Sequence, residues 1–123
     1  MKKLSLLILV FGLNFVVFGQ KSLTAVAPSN QELISGIQSG HIQMTLPSEI
    51  SEENVIMYSK YYTNIFTVDF DAKTNIASFH MLSNDANSRR VILRFLSANQ
   101  IVSVQVDSMK YDLGTFFDKY LND

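Results

Sequence analysis

Four short stretches of this chain alternate apolar and polar residues with a period of two, and helical patterns separate them. The chain must therefore build a sheet that is dry on one face and wet on the other. In His41 to Leu46, Ile42, Met44 and Leu46 point one way and His41, Gln43 and Thr45 the other. In Ile65 to Asp71, Phe66, Val68 and Phe70 oppose Thr67 and Asp69. In Ile76 to Leu82, Ala77, Phe79 and Met81 oppose Ser78 and His80. In Ile101 to Val106, Val102, Val104 and Val106 are the inward set, with Ser103 and Gln105 outward. Asp71-Ala72-Lys73-Thr74-Asn75 supplies turn chemistry, so the second and third stretches form a β-hairpin.

Helices are expected between and around these strands. Ser29-Asn30-Gln31-Glu32 has the form of a capping box, with Leu33, Ile34 and Ile37 following and Gly40 able to end the helix. Ser51 opens a second helix, with Glu52 and Glu53 at its positive end, that runs to about Tyr62. Its buried stripe is Val55, Tyr58 and Tyr62, with Ile56 beside it. A third follows the cap formers Ser83 to Asn87 and runs to about Ala98, with Val91, Ile92, Phe95 and Leu96 as its apolar stripe. Asp112 caps a last helix whose Leu113, Phe116, Phe117 and Tyr120 recur at i, i+3, i+4 and i+7. This helix is expected to close over the wet face of the sheet. Lys21 to Pro28 reads as a linker or a short first strand.

The core order is strand, helix, strand, strand, helix, strand. Two right-handed crossovers around one hairpin give an α+β, ferredoxin-like βαββαβ sandwich. Its expected sheet is four-stranded and antiparallel, with both crossover helices on one face and an extra short helix at each end of the chain. The first strand of this arrangement lies beside the third.

The hairpin Ile65-Phe-Thr-Val-Asp-Phe-Asp-Ala-Lys-Thr-Asn-Ile76 and the segment Val91-Ile-Leu-Arg-Phe-Leu-Ser-Ala-Asn-Gln-Ile101 resemble the heavy-metal-associated domain, the small copper-chaperone version of this fold. The resemblance spans His41 to Val106 and is one of topology. It implies a soft-metal site at a Cys-x-x-Cys pair in the loop after the first strand. Here that loop reads Leu46-Pro-Ser-Glu-Ile-Ser-Glu-Glu-Asn54, without a thiolate, and its hydroxyls and carboxylates do not suit Cu(I).

The start of the chain reads as a bacterial secretory signal. Met1-Lys2-Lys3 is a positive n-region, and Leu4 to Phe18 is an apolar run of about 15 residues, shorter than the roughly 20 of a spanning helix. Cleavage is expected after Gly19, with Gln20 the near alternative. The expected organisation is then residues 1–19 as signal peptide, 20–40 as an N-terminal segment with a short helix, and 41–123 as the ferredoxin-like domain with its C-terminal helix. No membrane span remains after cleavage, and the destination is periplasmic or extracellular. Losing Lys2 and Lys3 from ten basic residues set against eleven acidic ones leaves a net charge near −3. Nucleic acid is thereby an unsuitable partner. Arg89, Arg90 and Arg94 form one small basic spot, read as a solvated helix face. The chain has no Cys, which excludes disulfides, thiolate nucleophiles and Cys-based metal sites.

Chemistry-bearing residues are few. His41 and His80 fall on the wet face of neighbouring strands, with Asp69 one strand further, and two imidazoles with a carboxylate suit Zn(II) or Cu(II). Met44 and Met81 point into the core, where gap filling is their role. Ser78 lies two residues from His80 on the same face, the one pairing a nucleophilic mechanism could use. The reading from sequence is a small exported envelope protein without enzymatic activity or cofactor, binding a protein or a small ligand. A divergent metal-binding domain using His41, His80 and Asp69 is the alternative, and a small hydrolase the second alternative.

Overall fold

A computed structural model of the chain describes residues 22–123. The expected signal peptide, residues 1–19, lies outside the described residues. Among the described residues the architecture is α+β: a six-stranded mixed sheet and four helices. The strands are β1 (Leu23–Val26), β2 (His41–Thr45), β3 (Phe66–Asp71), β4 (Ile76–Met81), β5 (Ile101–Val106) and β6 (Met109–Asp112). The helices are α1 (Asn30–Ser39), α2 (Glu52–Ser59, continued by a 3₁₀ turn Lys60–Tyr62), α3 (Ala86–Ala98) and α4 (Leu113–Phe116, continued by a π-type turn Phe117–Leu121).

The caps explain where the helices start. Ser29, Ser51, Asp85 and Asp112 each accept a bond from the backbone N–H three residues on, at 3.3, 3.2, 2.8 and 2.7 Å. The N–H of Ser88 holds the Asp85 carboxyl below its ordinary pKa, and the N–H of Thr115 does the same for Asp112. Gly40 closes α1 at φ +76°, a left-handed position suited to glycine.

The sheet order is β3-β4-β2-β1-β5-β6. The hairpin β3–β4 and the pairing of β2 with β4 are as expected, but the four-stranded antiparallel sheet is not. Leu23–Val26 forms a strand and inserts between β2 and β5, antiparallel to the first and parallel to the second. It is held on the β5 side by Thr24 Oγ1 to Ser103 Oγ at 2.7 Å and by the Ala27 N–H donating to Gln105 C=O at 2.8 Å. The segment 20–40, set apart from the domain in the sequence reading, thus supplies a central strand and a helix of the same sheet. A sixth strand, β6, extends the far edge after a two-residue turn in which Asp107 takes φ +52°.

The parallel pairing slips by one residue: Leu23 faces Ile101, while Thr24 faces Ser103. This corrects the reading of β5. Ile101 is fully buried with Val104 and Val106, and Val102, left over by the slip, is 47% exposed.

One core cluster lies under α2, α3 and α4. It joins Ile42 and Met44, Phe66, Ala77 and Phe79, and Ile101, Val104 and Val106 to Val55, Ile92, Phe95, Leu96, Phe116 and Leu121. Its aromatic centre is Phe66, Phe79 and Phe95, with Phe79 and Phe95 edge-to-face at 5.4 Å. Tyr62 stacks on Phe66 at 5.7 Å, whereas Ile56 is 48% exposed and lies outside the stripe. The last helix does not cross to the wet face. Tyr111, paired with Val104 on the core side, meets Tyr120 of the last turn at 5.9 Å, and Phe116, Phe117 and Leu121 complete the same core.

Of the expected basic spot, Arg89 is not solvated at all. It is buried, with its guanidinium bonded to the main-chain oxygens of Leu121 and Asp123 and to Asn84 Oδ1, and Arg90 lies over the Phe117 ring at 4.5 Å. Helix α1 rests on the backbone of β2 beyond the end of β1. There a Cβ on Gly36 would stand 2.6 Å from the His41 carbonyl oxygen, so only glycine allows the approach.

Candidate functional site

The wet face of β3, β4 and β2 is a grid set by register. Across the three strands its rows are Thr67–His80–His41, Asp69–Ser78–Gln43 and Asp71–Ile76–Thr45. The third row continues through Val26, which pairs with Thr45 and faces Gln105 of β5, itself paired with Lys110.

The close approach of these side chains follows from the ladder. The Met81 N–H donates to Gly40 C=O at 2.8 Å, and the Leu46 N–H to Asn75 C=O at 2.7 Å. Those pairs share the parity of the core-facing residues, so the core pairs carry the ladder bonds. His41–His80 and Gln43–Ser78 are then non-hydrogen-bonded pairs, whose Cα atoms stand only about 4.5 Å apart. The rings of His41 and His80 accordingly meet with centroids 4.3 Å apart and planes tilted by 34°.

Asp69 reaches His80 along the diagonal, Oδ2 to Nε2 at 3.1 Å. The carboxylate is 84% exposed and the imidazole 41%, so this contact adds little to stability. Its effect is on orientation: it fixes which ring nitrogen of His80 faces the acid. Thus the structure brings together all three residues singled out in the sequence, as a close, tilted imidazole pair with an acid on one member. Among the described residues, no three His, Asp or Glu side chains converge as a ready-made metal cage.

Two residues missed in the sequence belong to this grid. Gln43 donates from Nε2 to Ser78 Oγ at 3.2 Å, and Thr67 stands directly opposite His80. The Gln43 bond engages the Ser78 hydroxyl, while the Nε2 of His80 is turned to Asp69. Outward-facing position was the one signal available for either residue, and it does not rank one polar side chain above another.

Met44 is fully buried and Met81 partly so, as gap fillers should be, while Met57 is 45% exposed on α2. Among the described residues no helix is long and apolar enough to cross a membrane. No family model matches this chain, and neither a curated protein nor a solved structure matches it.

Proposed function

We propose that this protein is an exported, non-enzymatic binding module that docks a partner protein on the wet face of its sheet. One observation carries the reading. Helices α2, α3 and α4 and the whole core lie on one side, and the opposite side of a six-stranded sheet is left to solvent apart from the buried Ser103 beside Thr24. At about 4.8 Å per strand that face is roughly 25–30 Å across. A typical interface takes about 800 Å² from each partner, which a face of this width can supply.

The chemistry of the face favours a macromolecule over a small apolar ligand. Small molecules want concave apolar pockets. This face is open and mostly polar, with His41, Gln43, Thr67 and Asp69 presented side by side. A non-enzymatic role is supported by the Ser78 hydroxyl, whose bond is with Gln43 and not with His80. Export rests on the Lys2-Lys3 start and the apolar run that follows it.

The test is site-specific photo-cross-linking in bacterial cells expressing the whole chain. A photoreactive residue at Gln43 or Thr67 should give the same discrete adduct, and one at Asn87 on α3 should not. Equal adducts from Asn87, or none from the sheet face, would overturn the docking site. Recovery of only the uncleaved chain in the cytoplasm would overturn export.

A further inference from the structure

We infer that His41 and His80 form a two-imidazole site for a divalent transition-metal ion of the copper–zinc type, with Asp69 as its orienting group. The proposal adds a ligand to the face described above. It rests on that face being uncovered, but not on the docking of a protein there.

The argument begins with the backbone. Two histidines directly opposite in an antiparallel pair come closest when the pair is of the non-hydrogen-bonded kind. The bonds Met81 N–H to Gly40 C=O and Leu46 N–H to Asn75 C=O put His41 and His80 in that class. Two nitrogens each about 2.1 Å from one ion stand roughly 3–3.5 Å from each other in a tetrahedral site. Rings whose centroids are already 4.3 Å apart need side-chain rotation alone to reach this, with no shift of either strand.

The acid completes the chemistry. A metal-bound imidazole commonly gives its other ring N–H to a carboxylate, which fixes the tautomer and raises the basicity of the ligating nitrogen. Asp69 Oδ2 stands 3.1 Å from His80 Nε2. With the proton on Nε2, Nδ1 of His80 carries the free lone pair for the ion. His41 supplies the second nitrogen, and water fills the remaining positions on this open face.

The donor set selects the metal. Imidazole nitrogen suits Cu(II), Zn(II) and Ni(II), and at equal geometry the divalent series places Cu(II) tightest. The absence of Cys removes the thiolates that would favour Cu(I). Oxygen-seeking Mg²⁺ and Ca²⁺ want several oxygen ligands, and the carboxylate beside the imidazole pair, Asp69, is already bonded to His80.

The alternative is a tilted aromatic pair with no ligand, and the following experiment separates the two. The untagged protein is titrated with Cu(II) and with Zn(II) by calorimetry, and the copper complex is examined by electron paramagnetic resonance. One equivalent of Cu(II) should bind with a micromolar dissociation constant, more tightly than Zn(II), and the spectrum should show two imidazole nitrogens. His41→Ala and His80→Ala should each weaken binding at least about tenfold and leave one nitrogen. Asp69→Asn, which keeps the shape but not the charge, should weaken it by about 10-fold, at the low end of outer-shell effects. Circular dichroism melts of the variants check that the fold is retained. Absence of saturable binding below the millimolar range, or a wild-type spectrum that survives His80→Ala, would overturn the site. A failed titration with the cross-linking pattern intact would sink the metal and leave the docking face standing.

Discussion

Arg89 Nε donates to the carbonyl oxygen of Leu121 at 2.8 Å, and through this bond α3 holds the last turn of the chain. The same guanidinium donates to Asp123 O at 2.7 Å and to Asn84 Oδ1 at 2.8 Å. Asn84 Nδ2 in turn donates to Ile37 O at 2.7 Å, at the end of α1. One arginine therefore joins α3 to the last turn and, through Asn84, to the end of α1, and it gives the Leu121 carbonyl a partner.

Arg89→Met should preserve the stem packing and remove all three bonds. Leaving a buried carbonyl unpaired costs about 1–3 kcal/mol, and bonds from a charged donor are at the strong end. We expect a loss of about 2–4 kcal/mol, read as a lower urea midpoint by circular dichroism. Arg89→Lys should recover less than half of it, because an ammonium cannot reproduce the planar fork.

A second prediction concerns acid. Asp85 and Asp112 are held below the ordinary value of 3.8 by backbone N–H bonds from Ser88 and Thr115. A depressed folded pKa adds stability that is complete above the unfolded value and is lost as pH falls through the folded one. The melting temperature should therefore decline below about pH 4. The double variant Asp85→Asn, Asp112→Asn should show a flatter acid limb, since it retains cap oxygens without the proton linkage.

Helix α1 supplies a third. Gly36→Ala would place a methyl 2.6 Å from the His41 carbonyl oxygen, a backbone atom that cannot swing away. Overpacking of this kind costs about 1–3 kcal/mol. The higher helix propensity of alanine, about 1 kcal/mol, would offset part of it. The melting temperature should fall, and NMR shifts of His41 and Ile42 should move more than those of β3.

The legible parts of this fold were those written by local chemistry. Ser29, Ser51 and Asp112 could each be read as a cap, and Asp85 as one of the cap formers Ser83 to Asn87, because the bond closes within three residues. The period-two pattern put His41, His80 and Asp69 on the correct face for the same reason. What escaped was non-local. Leu23 to Val26 is too short for a periodic pattern, and its place between β2 and β5 depends on residues up to 79 positions away, as in the Thr24–Ser103 bond. Alternation puts Val102 inward because it cannot show a slip that arises only when β5 meets β1. Arg89 reads as outward because a charge on a helix is usually solvated, and its main-chain partners lie more than 30 residues on. The 4.3 Å approach of His41 and His80 likewise needed the parity of the β2–β4 ladder, which neither strand contains alone.

The last prediction tests the boundary itself. A chain starting at His41 would contain every strand of the four-stranded reading, and in that reading it should fold. In the six-stranded sheet it lacks β1, and with it the partner of both β2 and β5. Leu23, Ala25, Leu33 and Ile37 would leave the core together, and the inner edges of β2 and β5 would face each other across the width of a missing strand. No rearrangement of side chains closes a gap of about 4.8 Å on either side of an absent backbone. We expect the 41–123 chain to show no cooperative thermal transition and to aggregate through its unpaired strand edges. A chain starting at Gln20 should unfold in a single transition, because the described strand begins at Leu23 and cleavage after Gly19 leaves it whole. A cooperative melt from the 41–123 chain would show that β1 is an accessory to the sheet and not its centre.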